Sequence, residues 1–187
     1  MNKKFLSLTL IIVTLCSIFI FGFTPKVNAA SLGWNSRPIP VYSSVKLSSM
    51  EVSQLKEAIN AWNSTKFGTF FEYKGQITEA QVVSMPNIVA VSKMAFGTTL
   101  SHSLARTIFP KNGYVTKATI NINTNHTFND GATSSGGYYL KSVLMHELFH
   151  ALGFADHSIF SNSFFSETYN GSTTFLRTDL EKIDTLY

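Results

Sequence analysis

Hydrophobic and polar residues alternate most regularly between residues 117 and 123. One face of this segment is apolar and the other is polar: Ala118, Ile120 and Ile122 against Thr119, Asn121 and Asn123. Strict alternation predicts a β-strand with one face buried and the other exposed to water. Short apolar or aromatic runs at 70–73 and 88–91 predict two more buried strands. The segment 37–42 contains two prolines and predicts an early edge strand.

Three other segments have the spacing and end signals of helices. Ser48 to Glu51 forms a capping box, and apolar residues then recur at helical spacing up to Trp62, which predicts a first helix with Trp62 in the core. A second helix is predicted over 138–152 and ends at Gly153 in a left-handed position. Thr178 to Glu181 repeats the capping box and predicts a short terminal helix. Strands combined with these helices predict a mixed α/β layer fold.

The first 29 residues have the pattern of a secretory signal peptide. Lys3 and Lys4 precede an apolar run over 5–23, and small residues up to Ala30 predict a cleavage site. A retained membrane anchor is the alternative, because the run is about long enough to span a bilayer. After cleavage, residues 30–187 would form one domain that is exported, most simply from a bacterium, and that is free of the membrane.

Removal of this segment changes the charge of the chain and its cysteine content. It takes away three lysines, so the balance falls from 15 minus 11 (+4) to 12 minus 11 (+1). Because no basic run with interleaved aromatic residues remains, we expect no nucleic-acid partner. Cys16 lies in the apolar run, so the secreted form would contain no thiol and no disulfide. We expect a monomer.

The most specific chemical signal is the sequence from His146 to His150, which contains Glu147 and is followed by Gly153. Histidines four residues apart lie on one face of a helix, so both imidazoles can bind one Zn²⁺ ion with the glutamate beside them. A third ligand could be Asp156 or His157, since a turn at Gly153 can bring the chain back toward the metal. The alternative interpretation is an amphipathic helix with two surface histidines.

The roles follow from this arrangement. The two histidines and the third ligand would hold zinc, and Glu147 would act as the general base that takes a proton from a zinc-activated water. His102 and His126 have no metal-ligand partner at short spacing, so we expect them to be loop or surface residues.

The motif from His146 to Asp156 resembles the metzincin zinc signature, in its snapalysin-like variant with aspartate as the third ligand. Several further segments resemble the matrixin branch of that group: Ile39–Tyr42, Ala58–Asn63, Ala118–Asn123, His157-Ser158 and Leu176–Tyr187. The resemblance implies a metzincin-like mixed twisted sheet with an active-site helix and a C-terminal helix. It favours Asp156 as the third ligand because the spacing from Gly153 is kept; His157 remains the alternative, in which case Asp156 would hold a histidine ring.

The chain departs from the matrixin pattern in one further place. No methionine follows Met145, so the methionine turn under the zinc is missing, and alignment on His157 puts Phe165 in its place with Tyr169 downstream. The resemblance also implies that an edge strand above the zinc pairs with extended substrate. That would make Ala118, Ile120 and Ile122 substrate-binding residues.

These expectations predict a secreted zinc endopeptidase that acts on extended polypeptides. A zinc-binding module of the same fold, with little or no peptidase activity, is the alternative. A peptidase with a distant third ligand such as Glu167 is a weaker one, because Gly153 then has no evident purpose.

Overall fold

The structure, a computed structural model, describes residues 32–100, 103–110, 112–131 and 137–187. The predicted signal peptide, residues 1–29, lies outside the described residues, and so does His102. Within the described ranges, no helix combines the length and the apolar character needed to cross a bilayer.

A five-stranded mixed sheet organises the described chain. Its strands, in chain order, are β1 (Ile39–Ser44), β2 (Phe71–Ile77), β3 (Val89–Met94), β4 (Ala105–Ile108) and β5 (Ala118–Asn123). The order across the sheet is β2-β1-β3-β5-β4, in which β4 is antiparallel to β5 and the other pairs are parallel. Two short strands, β6 (Phe128–Asn129) and β7 (Tyr138–Tyr139), pair with each other. The predicted mixed α/β fold is therefore confirmed.

Both strands that were expected at an edge lie inside the sheet, so those two predictions are wrong. Strand β1 lies between β2 and β3, and it accommodates Pro40 because the pairing with β3 begins only at Val41. Strand β5 lies between β3 and β4, and its polar residues Asn121 and Asn123 are buried. The edge strand next to β5 is β4. Its sequence is too short and too mixed in polar and apolar residues to be predicted as a strand.

Four helices accompany the sheet in the described ranges: α1 (Ser49–Asn63), α2 (Glu79–Ser84), α3 (Leu140–Ala151) and α4 (Arg177–Ile183). The predicted capping box of α1 is confirmed, since the Ser48 N–H donates to the Glu51 carboxylate at 2.7 Å. Helix α4 begins earlier than expected because the Asp179 carboxylate accepts from the N–H of Leu176 at 2.8 Å. Helix α2 was not predicted, although Thr78 and Gln81 form its capping box.

Trp62 joins α1 to α3 at the centre of the core. Its side chain is fully buried, and its indole N–H donates to the Met145 carbonyl at 3.1 Å. The ring stacks on Phe149 of α3 with centroids 6.5 Å apart. The indole ring is mostly apolar, and its one polar group, the N–H, is hydrogen-bonded. Trp62 can therefore be buried without leaving a polar group unpaired. The predicted core role of Trp62 is confirmed.

Residues near both ends of the described chain hold the C-terminal end of α3. The Trp34 indole N–H donates to the Ala151 carbonyl at 2.7 Å, and the Tyr187 hydroxyl donates to the Leu152 carbonyl at 2.8 Å. These carbonyls belong to the last turn, where no helical N–H is available to them. Gly153 follows with φ 110°, so the predicted left-handed end of the helix is confirmed.

This contact predicts a pH effect on stability. Burial raises the pKa of Tyr187 to about 12 from an ordinary value near 10, so the folded state favours the neutral phenol. The contribution of that hydroxyl is present below pH 10 and is lost as the pH rises toward 12. Urea unfolding of the wild type and of Tyr187→Phe at several pH values should show a stability difference that shrinks over this range. A difference that stays constant through pH 12 would contradict the assignment.

Candidate metal centre and active site

Three histidine rings converge where α3 meets the loop that follows it. Helix α3 places His146 and His150 on one face, with their Nε2 atoms 3.0 Å apart. His157 comes from the loop after Gly153, and its Nε2 lies 3.2 Å from that of His150. One ligand atom from each of the three residues lies within 4.8 Å of the others.

Backbone carbonyls fix the orientation of two of these rings. Nδ1 of His150 lies 2.7 Å from the Phe154 carbonyl, and Nδ1 of His146 lies 3.2 Å from the Phe164 carbonyl. A carbonyl only accepts, so each Nδ1 must be the protonated nitrogen, and each Nε2 then presents a lone pair. Two unprotonated nitrogens that face each other at 3.0 Å cannot hydrogen-bond, but a cation between them stabilises both.

The set of donors suits zinc. Zinc prefers imidazole nitrogens at about 2.0–2.1 Å in a tetrahedron, which places ligand nitrogens about 3.3 Å apart. The two short Nε2 separations, 3.0 and 3.2 Å, are close to that value. Three protein nitrogens leave a fourth tetrahedral position for water or substrate, as in catalytic rather than structural zinc sites.

Burial keeps His146 and His150 neutral. Burial lowers the pKa of His146 to about 3 and the pKa of His150 to about 4, while the hydrogen bonds to the two carbonyls oppose this effect. The neighbouring histidines contribute to both lowered pKa values. Neutral imidazole is the form that binds a metal ion, so no proton has to be removed from these rings at neutral pH.

Glu147 lies beside the triad with its carboxyl group almost completely buried. Burial raises its pKa to about 7, and the hydrogen bond from Thr107 opposes that shift. Thr107 belongs to β4, and its hydroxyl contacts both the Glu147 carboxylate and, at 3.1 Å, the Glu147 carbonyl. Sequence reasoning missed Thr107 because a threonine in a short mixed segment carries no distinctive spacing.

The structure brings His157, and not Asp156, to the other two histidines. Asp156 is exposed and is absent from the group of convergent ligand atoms; its backbone carbonyl accepts from the Lys182 ammonium at 3.2 Å. The preference for Asp156 assumed a fixed spacing after Gly153. In the structure, the loop continues one residue further before a side chain points back to the metal centre.

Phe165 occupies a buried position next to α3, where the sequence predicted an apolar residue in place of methionine. The ring is 1% exposed and lies flat on Phe149, with centroids 4.0 Å apart. Downstream, the Tyr169 hydroxyl accepts from the Tyr139 N–H at 2.8 Å. The larger aromatic side chain is thus accommodated without separating the three histidines.

An open cleft of about 610 Å³ extends from the triad. Residues 103–107 of the β4 segment form one wall, and α3 with residues 164–170 forms the other. The outer edge of β4 has no strand partner among the described residues.

The residues predicted to bind substrate do not line this cleft. Ala118, Ile120 and Ile122 are fully buried in the core, with no exposed area. Glu167 and Tyr169 line the cleft, whereas His126 packs against Tyr138 and is not part of the triad.

Comparison with known families decides the relationship. The family model described as matrixin matches residues 39–187, which is most of the chain. The chain belongs to the matrixin family of zinc metalloproteases. The match begins at the first residue of β1 and includes the triad, Glu147 and the C-terminal helix.

The chain was also compared with solved structures and with curated proteins. Among solved structures, high choriolytic enzyme 1, a hatching enzyme zinc-protease from the medaka fish Oryzias latipes, is 18% identical with a TM-score of 0.38. The similarity covers 72% of this matrixin chain and 54% of that chain, so this chain spans about half the length of the solved structure. No curated protein matches the chain.

The geometry predicts which residue in the loop controls zinc binding by this matrixin. His157→Ala removes one of three convergent nitrogens and should abolish stoichiometric zinc, whereas Asp156→Ala should retain it because the Lys182 contact is to the backbone. Metal content after dialysis, measured by atomic absorption, provides the test. Loss of zinc in Asp156→Ala with retention in His157→Ala would reverse the assignment.

Proposed function

We propose that this chain is a zinc-dependent endopeptidase that hydrolyses extended polypeptides. The observation that supports this best is that the three histidines and Glu147 line an open cleft, which is bordered by a strand edge without a partner among the described residues. His146, His150 and His157 would hold the metal. A cleft that is open to solvent along the site can accept an internal peptide bond, because the substrate chain can leave the site in both directions.

The reaction divides between the metal and the protein. Zinc, when bound, supplies a Lewis acid that acidifies water and polarises the scissile carbonyl. Glu147 accepts a proton from the attacking water as its oxygen bonds to the carbonyl carbon. The same carboxyl group then delivers that proton to the leaving nitrogen as the C–N bond breaks. The buried position of Glu147 excludes bulk water from this proton transfer.

Thr107 orients the general base in this proposal. Its hydroxyl has one hydrogen, which it directs to the Glu147 carboxylate. One carboxylate oxygen is thereby occupied, and the other remains available to the water. Because Thr107 lies on β4, the strand that borders the cleft also sets the direction of the catalytic carboxyl group.

Strand β4 would also bind the substrate backbone. An extended peptide can add to an unpaired edge through main-chain hydrogen bonds, with alternate side chains directed into pockets. This role was predicted for Ala118–Asn123, but that strand already has neighbours on both sides. Strand β4 takes over the role because it is the edge beside the triad.

We also propose that the chain is exported, is cleaved near Ala30 and acts as a monomer outside the cell. The support is the pattern of two lysines, an apolar run and small residues in positions 1–30. Expression in a secreting bacterial host followed by N-terminal sequencing of the medium fraction should find a chain that starts near Ala30. Retention in the membrane with an intact N-terminus would contradict export.

The decisive prediction concerns Glu147→Gln. An amide cannot accept the proton, so turnover of a mixed peptide library should fall by about a hundredfold to ten-thousandfold. Zinc content and thermal stability should remain as in the wild type, because the amide can still accept the Thr107 hydrogen bond. The matched control is Glu181→Gln, which removes only an exposed ion pair with Arg177 and should cleave normally.

Either of two results would contradict the endopeptidase proposal. Cleavage by Glu147→Gln at the wild-type rate would remove its role as general base. A wild-type chain that binds one zinc ion but cleaves no peptide would instead indicate the zinc-binding module with little or no peptidase activity.

A second prediction tests Thr107. Thr107→Val has nearly the same shape without the hydroxyl, and we expect kcat to fall by roughly ten- to a hundredfold with little change in KM, since a hydrogen bond to a charged group contributes about 1.5–3 kcal/mol. Thr107→Ser keeps the donor and should restore most of kcat. If the valine and serine variants lose kcat equally, packing rather than the hydrogen bond explains the effect.

A further inference from the structure

Three phenylalanine rings form a continuous stack beside the histidine triad. The ring of Phe149 lies between those of Phe154 and Phe165, with centroid distances of 4.4 and 4.0 Å and interplanar angles of 4° and 5°. All three side chains are buried. Phe149 belongs to α3, Phe154 follows the turn at Gly153, and Phe165 comes from the segment before α4, so the stack joins three separate parts of the chain.

Backbone carbonyls in and next to this stack accept from two of the three histidines and from the residue after the third. The Phe154 carbonyl accepts from Nδ1 of His150, and the carbonyl of Phe164, next to Phe165, accepts from Nδ1 of His146. The Phe165 carbonyl accepts from the N–H of Ser158 at 3.0 Å, one residue after His157. A shift of the backbone that carries either outer ring would therefore move a carbonyl to which a histidine donates.

Lys182 of α4 contacts both the phenylalanine stack and the loop that carries His157. Its ammonium lies 5.5 Å from the centroid of Phe149 and 5.6 Å from that of Phe165, close enough for a cation–π interaction with each. The same ammonium donates to the Asp156 carbonyl at 3.2 Å. One partly buried cation therefore connects the stack with the residue that precedes His157.

We infer that Phe165 and Lys182 are positioning residues for the zinc site: the stacked ring fixes the carbonyls that orient the histidines, and the ammonium fixes the loop that carries His157. This inference rests on the proposed function, because it assumes that the triad holds zinc. It goes beyond an apolar filling of the space, since it requires a flat ring at 165 and a cationic donor at 182.

The requirement for a flat ring has a physical basis. Two rings in parallel contact at 4.0 Å restrict both the distance and the tilt of each side chain. A methionine of similar volume has three rotatable bonds and fills space without defining a plane. It would keep the core closed while it leaves the Phe164–Phe165 backbone free to turn.

The first test therefore compares Phe165→Met with Phe70→Met. Phe70 is equally buried and contacts the rings of Trp62 and Phe71 rather than any histidine, so it controls for general loss of packing. Zinc affinity of the purified protein, measured by competition with a chelator, should fall roughly ten- to a hundredfold in Phe165→Met, as for other groups that orient metal ligands. Phe70→Met should lower the melting temperature but leave zinc affinity unchanged.

Replacement of zinc by Co²⁺ gives a readout that does not depend on activity. The visible absorption bands of the bound Co²⁺ ion should shift or weaken in Phe165→Met, because the ligand geometry relaxes, and should match the wild type in Phe70→Met. Wild-type zinc affinity together with an unchanged Co²⁺ spectrum in Phe165→Met would overturn the inference for Phe165.

The second test addresses Lys182. Lys182→Met keeps most of the aliphatic stem but removes the charge and the donor, so zinc affinity should fall, while Lys182→Arg keeps both and should restore it. Lys66→Met is the matched control, since the Lys66 ammonium also lies over a phenylalanine ring, Phe67 at 4.7 Å, without contact to the loop. Equal zinc affinity in Lys182→Met and Lys66→Met would overturn the inference for Lys182.

Measurements of zinc binding by the wild type distinguish failure of the proposed function from failure of the inference about Phe165 and Lys182. A wild-type chain that binds no zinc would overturn both the proposed function and this inference. A wild-type chain that binds one zinc ion, with unchanged affinity in Phe165→Met and Lys182→Met, would overturn only the inference.

Discussion

The convergence of three imidazole nitrogens is the constraint on which the rest of the structure depends. The Nε2 atoms of His146 and His150 face each other at 3.0 Å with their lone pairs inward, so they repel each other unless a cation lies between them. The Nε2 atom of His157 lies 3.2 Å from that of His150. The fold therefore has to hold the three rings in place, and zinc is the cation that this number, type and spacing of donors suits. Burial contributes to the same end, because it keeps His146 and His150 neutral.

The surrounding elements can be understood as support for that convergence. Trp62 fixes the middle of α3 against α1, and Trp34 with Tyr187 satisfies the carbonyls at its end. Beyond that end, Phe154 and Phe165 enclose Phe149, and their backbone segments carry the acceptors for the histidine rings. Helix α3 is thus held along its length, and the loop to His157 is fixed at the point where it leaves the helix.

The cleft connects this rigid centre with a polypeptide substrate in the proposed function. One edge of strand β4 has no strand partner among the described residues, and the side chain of its Thr107 reaches the carboxylate of Glu147. Binding of the substrate backbone and orientation of the general base would therefore depend on the same four-residue strand. The family match over residues 39–187 includes both β4 and Glu147.

Sequence patterns predicted most of the elements because local signals specify them. The alternation at 118–123, the capping box at Ser48 and the turn at Gly153 each depend on neighbouring residues, and the structure contains all three. Position within the sheet depends on distant pairing, which explains the two wrong edge predictions. His157 was predicted only as the alternative to Asp156, because the path of the loop after Gly153 leaves no periodic signal. Thr107 was not predicted, because its contact with Glu147 joins residues 40 positions apart along the chain.

The measurement that tests the central claim most directly is anomalous diffraction at the zinc edge from crystals of the purified protein. We expect one strong peak, at about 2.0–2.1 Å from each of the Nε2 atoms of His146, His150 and His157. The carboxylate of Asp156 should lie outside that coordination sphere. A zinc peak bound by Asp156 in place of His157 would contradict this prediction. So would crystals grown with zinc that show no peak between the three histidines.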